Sequence, residues 1–150
     1  MIRKLSFLCV CFYAHVAQAQ VIKDSLLGIW QADKAEVTSM YGDTYHFFGN
    51  GRFAFKPNEY NGLNRIISIV GKYAVSGNTL YLTPDSTEEL IGGYPARSEI
   101  TTLSDTWEIR EGKAKMVVCR KKEKQSVTVK SLPNEQGIFI DQQKYYKVGK

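Results

Sequence analysis

The feature that most constrains this chain is a two-residue alternation of apolar and polar side chains, broken at short intervals by Gly and Asn. Thr44-Tyr45-His46-Phe47-Phe48 runs into Gly49-Asn50-Gly51 and returns as Arg52-Phe53-Ala54-Phe55-Lys56. Asn and Gly accept the positive φ that tight hairpin turns demand. In the returning segment Phe53 and Phe55 point one way, and Arg52, Ala54 and Lys56 the other. Residues 66–75 form a longer run rich in β-branched side chains, which Ser76-Gly77-Asn78 turns into a strand over 79–83. Gly71 inside the long run predicts a bend or bulge. Pro84 is expected to end the following strand, leaving 84–96 as a polar connection. Further strands are predicted over 97–103, 106–110, 115–119, 126–130, 137–141 and 144–148. Beyond Ser25 no stretch keeps a helical period over roughly 11 residues. About eight to ten short hairpin-linked strands imply an all-β domain, an antiparallel up-and-down barrel with a β-sandwich as the alternative.

The N-terminal segment is of another kind. Arg3 and Lys4 precede a mostly apolar run over 5–16, and Ala17-Gln18-Ala19 is a small-x-small cleavage site. This order is that of a secretory signal peptide over 1–19, too short in its apolar run to span a bilayer as a mature helix. Cys9 and Cys11 lie inside the apolar run, where neither suits lipidation. Removing 19 of the 150 residues leaves 131, a single domain over 20–150 with no transmembrane segment. Arg3 and Lys4 go with the leader, so 18 basic residues face 15 acidic ones and the net charge falls from +5 to +3. Cys119 is the one cysteine left, so no intramolecular disulfide is available and the domain must be held by its core. With no Asn-x-Ser/Thr sequon, these features favour an exported bacterial protein, periplasmic or extracellular.

Leu27-Gly28-Ile29-Trp30, ahead of the first strand, is similar to the Gly-x-Trp opening of lipocalins. Tyr45-x-Phe47…Asn50-Gly51-x-Phe53 and Gly71-x-Tyr73…Gly77-Asn78-x-Leu80-x-Leu82 resemble bacterial secreted lipocalin-like domains of the calycin superfamily. The resemblance covers roughly residues 25–148. It implies a barrel in which Trp30 packs across the closed end and Gly28 lets it approach the backbone. The family's Thr-Asp-Tyr signature is absent. Its last-strand arginine, which covers the tryptophan, has no clear match, because Lys147 lacks the planar stack.

Catalytic and metal signatures come out negative. His46 is the sole histidine after the leader, and there is no His-Glu-x-x-His, Gly-x-Ser-x-Gly or phosphate-cradling glycine loop. The sequence therefore predicts a non-enzyme without cofactor or metal. Cys119, in an apolar strand, reads as an inert buried thiol. Asp105 with Glu108, and Glu88 with Glu89, are carboxylate pairs only in sequence. The aromatics, 12% of the chain, carry more. Tyr45, Phe47, Phe53, Phe55, Tyr73 and Trp107 are the candidate barrel lining, where Tyr and Trp add a polar handle to an apolar cavity. A barrel of about eight strands either packs solid or holds one small ligand.

Charge is uneven along the chain. Residues 20–109 hold 7 basic and 11 acidic side chains, whereas 110–150 hold 11 and 4. Arg120, Lys121, Lys122 and Lys124 form the sharpest cluster, a surface turn suited to an anionic surface or protein partner. Nucleic acid is an unsuitable partner, since no aromatics interleave the cluster. The expected function is binding of a small apolar or amphipathic ligand in a cavity of about 300–1,000 Å³. The alternative is a filled barrel acting through its surface, as an inhibitor or an envelope assembly partner.

Overall fold

A computed structural model describes residues 24–32, 42–58, 61–98, 106–132 and 137–149. The predicted leader over 1–19 and Asp105 lie outside the described residues. Among the described residues eleven strands follow a helical turn at 24–26. They are β1 (Gly28–Ala32), β2 (Thr44–Phe47), β3 (Arg52–Lys56), β4 (Ile66–Ser76), β5 (Thr79–Ile91), β6 (Tyr94–Arg97), β7 (Trp107–Arg110), β8 (Lys113–Val118), β9 (Gln125–Ser131), β10 (Gly137–Ile140) and β11 (Gln143–Gly149). Eight of them run antiparallel in the order β4-β3-β2-β1-β11-β10-β9-β5, and β5 pairs back onto β4 to close the barrel. Chain neighbours are sheet neighbours throughout except between β5 and β9, where β6, β7 and β8 form an excursion. The fold is thus the all-β antiparallel barrel that the alternation predicts, and the sandwich alternative falls away.

Three local expectations are corrected. Gly28-Ile29-Trp30-Gln31 does not precede the first strand; it is part of β1. Residues 84–96 are not a connection, because β5 runs through Pro84 to Ile91 and β6 begins at Tyr94. The physical reason is backbone parity. Val129 N–H donates to Asn78 O at 2.8 Å, so Leu80, Leu82 and Pro84 turn their backbone groups toward β9. Pairing with β9 stops at Leu82 opposite Gln125, so the N–H that Pro84 lacks has no strand to meet. One residue on, the register slips past Asp85, and Ser86–Ile91 pair with β8 instead. The third correction is the burial expected of Cys119 at the end of β8, a strand that itself lies where it is predicted. β8 is exposed along its whole length, with Val118 70% accessible, because it belongs to the excursion and not to the barrel wall. Cys119 is accordingly half-buried, not a core thiol.

The core lies inside the barrel and is closed at one end. Leu26, on the helical turn, is fully buried beside Trp30, Phe47 and Tyr73. Trp30 Nε1–H donates to Leu26 O at 2.6 Å, so its one polar atom is satisfied within the core. Register places Lys147 of β11 opposite Trp30, with Nζ 5.4 Å from the ring centroid. Lys147 therefore does cover the tryptophan, as a cation over its face. Gly28 has φ 116°, and a Cβ there would strike Gly149 O and Lys147 Cε. Tyr73 OH donates to Phe48 O at 3.0 Å and ties β4 to the β2–β3 turn.

Candidate functional site: a pocket at the barrel mouth

At the other end of the barrel β5 parts from β9, and a cavity of about 140 Å³ lies in the seam. Its walls are Tyr45 of β2, Phe53 and Phe55 of β3, Ile69 of β4, Leu82 and Pro84 of β5, and Gln125 of β9. Alternation puts each of the strand residues on the inner face. Three of the six predicted lining residues, Tyr45, Phe53 and Phe55, are brought together here. Phe47 and Tyr73 sit deeper, 1% and 6% accessible, with ring centroids 5.1 Å apart in an edge-on contact. They belong to the packed core. Trp107 is a correction: it lies on β7, which pairs only with β6 among the described strands, and it is 48% exposed. The reason is topological, since the excursion never enters the barrel wall.

The pocket is smaller than the expected range of about 300–1,000 Å³, because aromatic rings fill the barrel below it. Tyr45 packs 4.6 Å from Phe55, 5.5 Å from Phe47 and 5.4 Å from Tyr145, centroid to centroid. A dry apolar cavity of about 150 Å³ is large enough to admit a single benzene-sized ring. Two of the lining residues carry polar groups, Gln125 an amide and Tyr45 a phenol. Burial pushes the Tyr45 hydroxyl up to about 12, and the neighbouring Asp43 carboxylate adds to the effect. The hydroxyl therefore stays protonated, an uncharged donor and acceptor, at any physiological pH. Ile69 and Leu82 were legible as inward-facing positions of their hairpin. Gln125 was not, because it follows the charged turn and carries no apolar signal.

The basic cluster lies on the segment joining β8 to β9, immediately before Gln125. It divides in two. Lys122 Nζ is 3.1 Å from Asp85 Oδ1, and Arg52 Nη1 is 3.5 Å from Asp85 Oδ2. The Lys122 hydrogen bond, with the charges of Lys122, Arg52 and Lys72, holds the Asp85 carboxyl below its usual range. Lys124 Nζ lies 3.7 Å above the Tyr81 ring on the outer wall. Arg120 and Lys121 are exposed.

The remaining candidates are engaged locally. His46 lies against Phe48 with ring centroids 3.8 Å apart and the planes tilted by 36°, and no group of three metal-binding side chains occurs among the described residues. Glu88 and Glu89 point to opposite faces of β5; Ser68 Oγ donates to the first and Thr87 Oγ1 to the second. Glu108 accepts from Arg110 Nε at 2.9 Å. Among the described residues no helix is long and apolar enough to cross a membrane. Comparison with protein-family models, with curated proteins and with solved structures returns no match.

Proposed function

We propose that this chain is an exported, lipocalin-like, non-catalytic binding protein of the bacterial periplasm or exterior. Its ligand is a small apolar or amphipathic molecule that seats one ring or a short branched alkyl group in the mouth pocket. The observation that supports this reading is the pocket's lining: an apolar, aromatic wall that includes two residues with uncharged polar groups, Tyr45 and Gln125. Such a wall binds by burial and orients by one or two hydrogen bonds. The exposed cations Arg120 and Lys121, five and four residues before Gln125, suit a ligand whose outer end is anionic. A second reading, the filled barrel acting through its surface, is favoured by the ring packing beneath the pocket.

Native mass spectrometry of the protein purified from its own host distinguishes them, together with an NMR titration using benzoate as a one-ring probe. The binding reading expects a retained small mass, or benzoate shifts confined to the amides around Tyr45, Phe55, Leu82 and Gln125. Ile69→Trp, which fills the pocket, should abolish both. No retained mass and no benzoate shift would leave the surface-acting reading.

A further inference from the structure

The excursion ends in a sheet edge that the barrel does not use. β8 pairs with Ser86–Ile91 of β5 on one side, and on its other side no strand is paired with it among the described residues. Met116 is 54% and Val118 70% accessible. β5, on which β8 lies, and the neighbouring β7 are both tied to the segment just before β4. Arg65 Nη1 donates to Leu90 O at 3.2 Å and to Gly92 O at 2.6 Å, and Ile109 N–H donates to Gly62 O at 2.9 Å.

Register fixes which backbone groups face outward. Cys119 N–H donates to Asp85 O at 2.9 Å, so that pair is hydrogen-bonded. Alternation along the antiparallel ladder makes Lys113, Lys115 and Val117 the β8 residues bonded to β5. The N–H and C=O groups of Ala114, Met116 and Val118 then point away from β5, three donors and three acceptors in a row. Side chains alternate in step: Lys113, Lys115 and Val117 share one face, and Ala114, Met116 and Val118 the other. Glu89, across from Lys115, already accepts the Thr87 hydroxyl.

We propose that β8 is a docking edge that adds an extended segment of a partner protein, one whose residues alternate between acidic and apolar. Acidic side chains of that strand meet Lys113 and Lys115, and its apolar side chains cover Met116 and Val118 on the opposite face. Charge selects this occupant. Residues 113–121 carry four cations (Lys113, Lys115, Arg120 and Lys121) and no acid, while Lys122 beyond them is held by Asp85. A second copy of the edge would set these cations against their like, whereas an acidic strand neutralises them. Lysines often protect an edge from pairing, but here they guard only the first half of the strand and leave Met116-Val117-Val118 open.

The test is an NMR titration of the intact protein with a synthetic peptide alternating glutamate and valine, and with its lysine–valine counterpart. The glutamate peptide should bind and slow hydrogen exchange at the Ala114, Met116 and Val118 amides, and the lysine peptide should not bind. Met116→Pro removes an outward N–H without breaking a bond to β5, so the fold is retained while the edge is blocked. It should weaken the glutamate peptide by about tenfold. Four outcomes would overturn the proposal. These are no binding of the glutamate peptide, equal binding of both peptides, undiminished affinity in Met116→Pro, or a concentration-dependent dimer that Met116→Pro disperses, which would make the occupant a second copy.

Discussion

Trp30 shows how one side chain joins a sequence motif to an end of the barrel. Its ring needs burial and its N–H needs an acceptor, and the helical turn at 24–26 answers both by seating Leu26 against the ring and offering Leu26 O. Replacing it empties the closed end, so Trp30→Ala should cost about 3–5 kcal/mol in denaturant melts. Lys147→Met keeps most of the aliphatic stem and loses the cation, and should cost about 0.5–1 kcal/mol. A Trp30→Ala cost below about 1 kcal/mol would mean the ring is not part of the core. Gly28 and Trp30 were legible because Gly-x-Trp is a local pattern. Lys147 was not, because its place over the ring depends on the β1–β11 register, which joins residues more than a hundred positions apart.

Among the elements, β5 explains most of the molecule's departure from a plain barrel. It is a barrel stave over Thr79–Leu82 and the spine of the excursion over Ser86–Ile91. The switch happens where Pro84 meets Gly71, and a Cβ on Gly71 would strike Thr83 O, Pro84 Cα and Phe53 Cε1. Backbone stands on two of those three sides, so the crowding has little room to relax. Gly71→Val should therefore fall at the upper end of the usual overpacking cost of about 1–3 kcal/mol. Gly49→Ala, whose Cβ would meet nothing within 4 Å, should be close to neutral in the same melts. Equal costs at the two positions would remove steric closure at Gly71 as the origin of the switch. The β2–β3 and β4–β5 hairpins were legible because turn chemistry is local. Pro84 was misread because whether a proline ends a strand depends on which neighbour its missing N–H would have met. The burial of Cys119 was misread for a related reason: Met-Val-Val-Cys records apolarity and not what covers it.

Across the whole molecule the two parts differ in how their edges are treated. The barrel has none, since β4 and β5 close it, and its apolar residues Leu80, Leu82, Val129, Ile138 and Ile140 are buried. The excursion keeps open edges and an exposed apolar surface that includes Tyr94, Trp107, Met116 and Val118. The basic C-terminal third divides between them: Lys130, Lys144 and Lys147 are spread over the barrel wall, whereas Lys113, Lys115 and the 120–124 cluster follow the excursion and its return. The mouth pocket lies at the junction, walled by Pro84 where β5 leaves and by Gln125 where β9 returns. A unit with few buried apolar contacts opens at lower free energy than a closed core. Native-state hydrogen exchange should therefore resolve two classes of amide. Those of β6, β7 and the β5-bonded residues of β8 should exchange through local opening, faster by about a hundredfold or more than the barrel amides of Leu80, Leu82 and Ile138. A ligand in the mouth pocket should slow the amides next to Pro84 and Gln125, and a strand on β8 should slow those of the excursion. Uniform protection across both classes would instead make excursion and barrel a single cooperative unit, in which either kind of binding stabilises the whole chain at once.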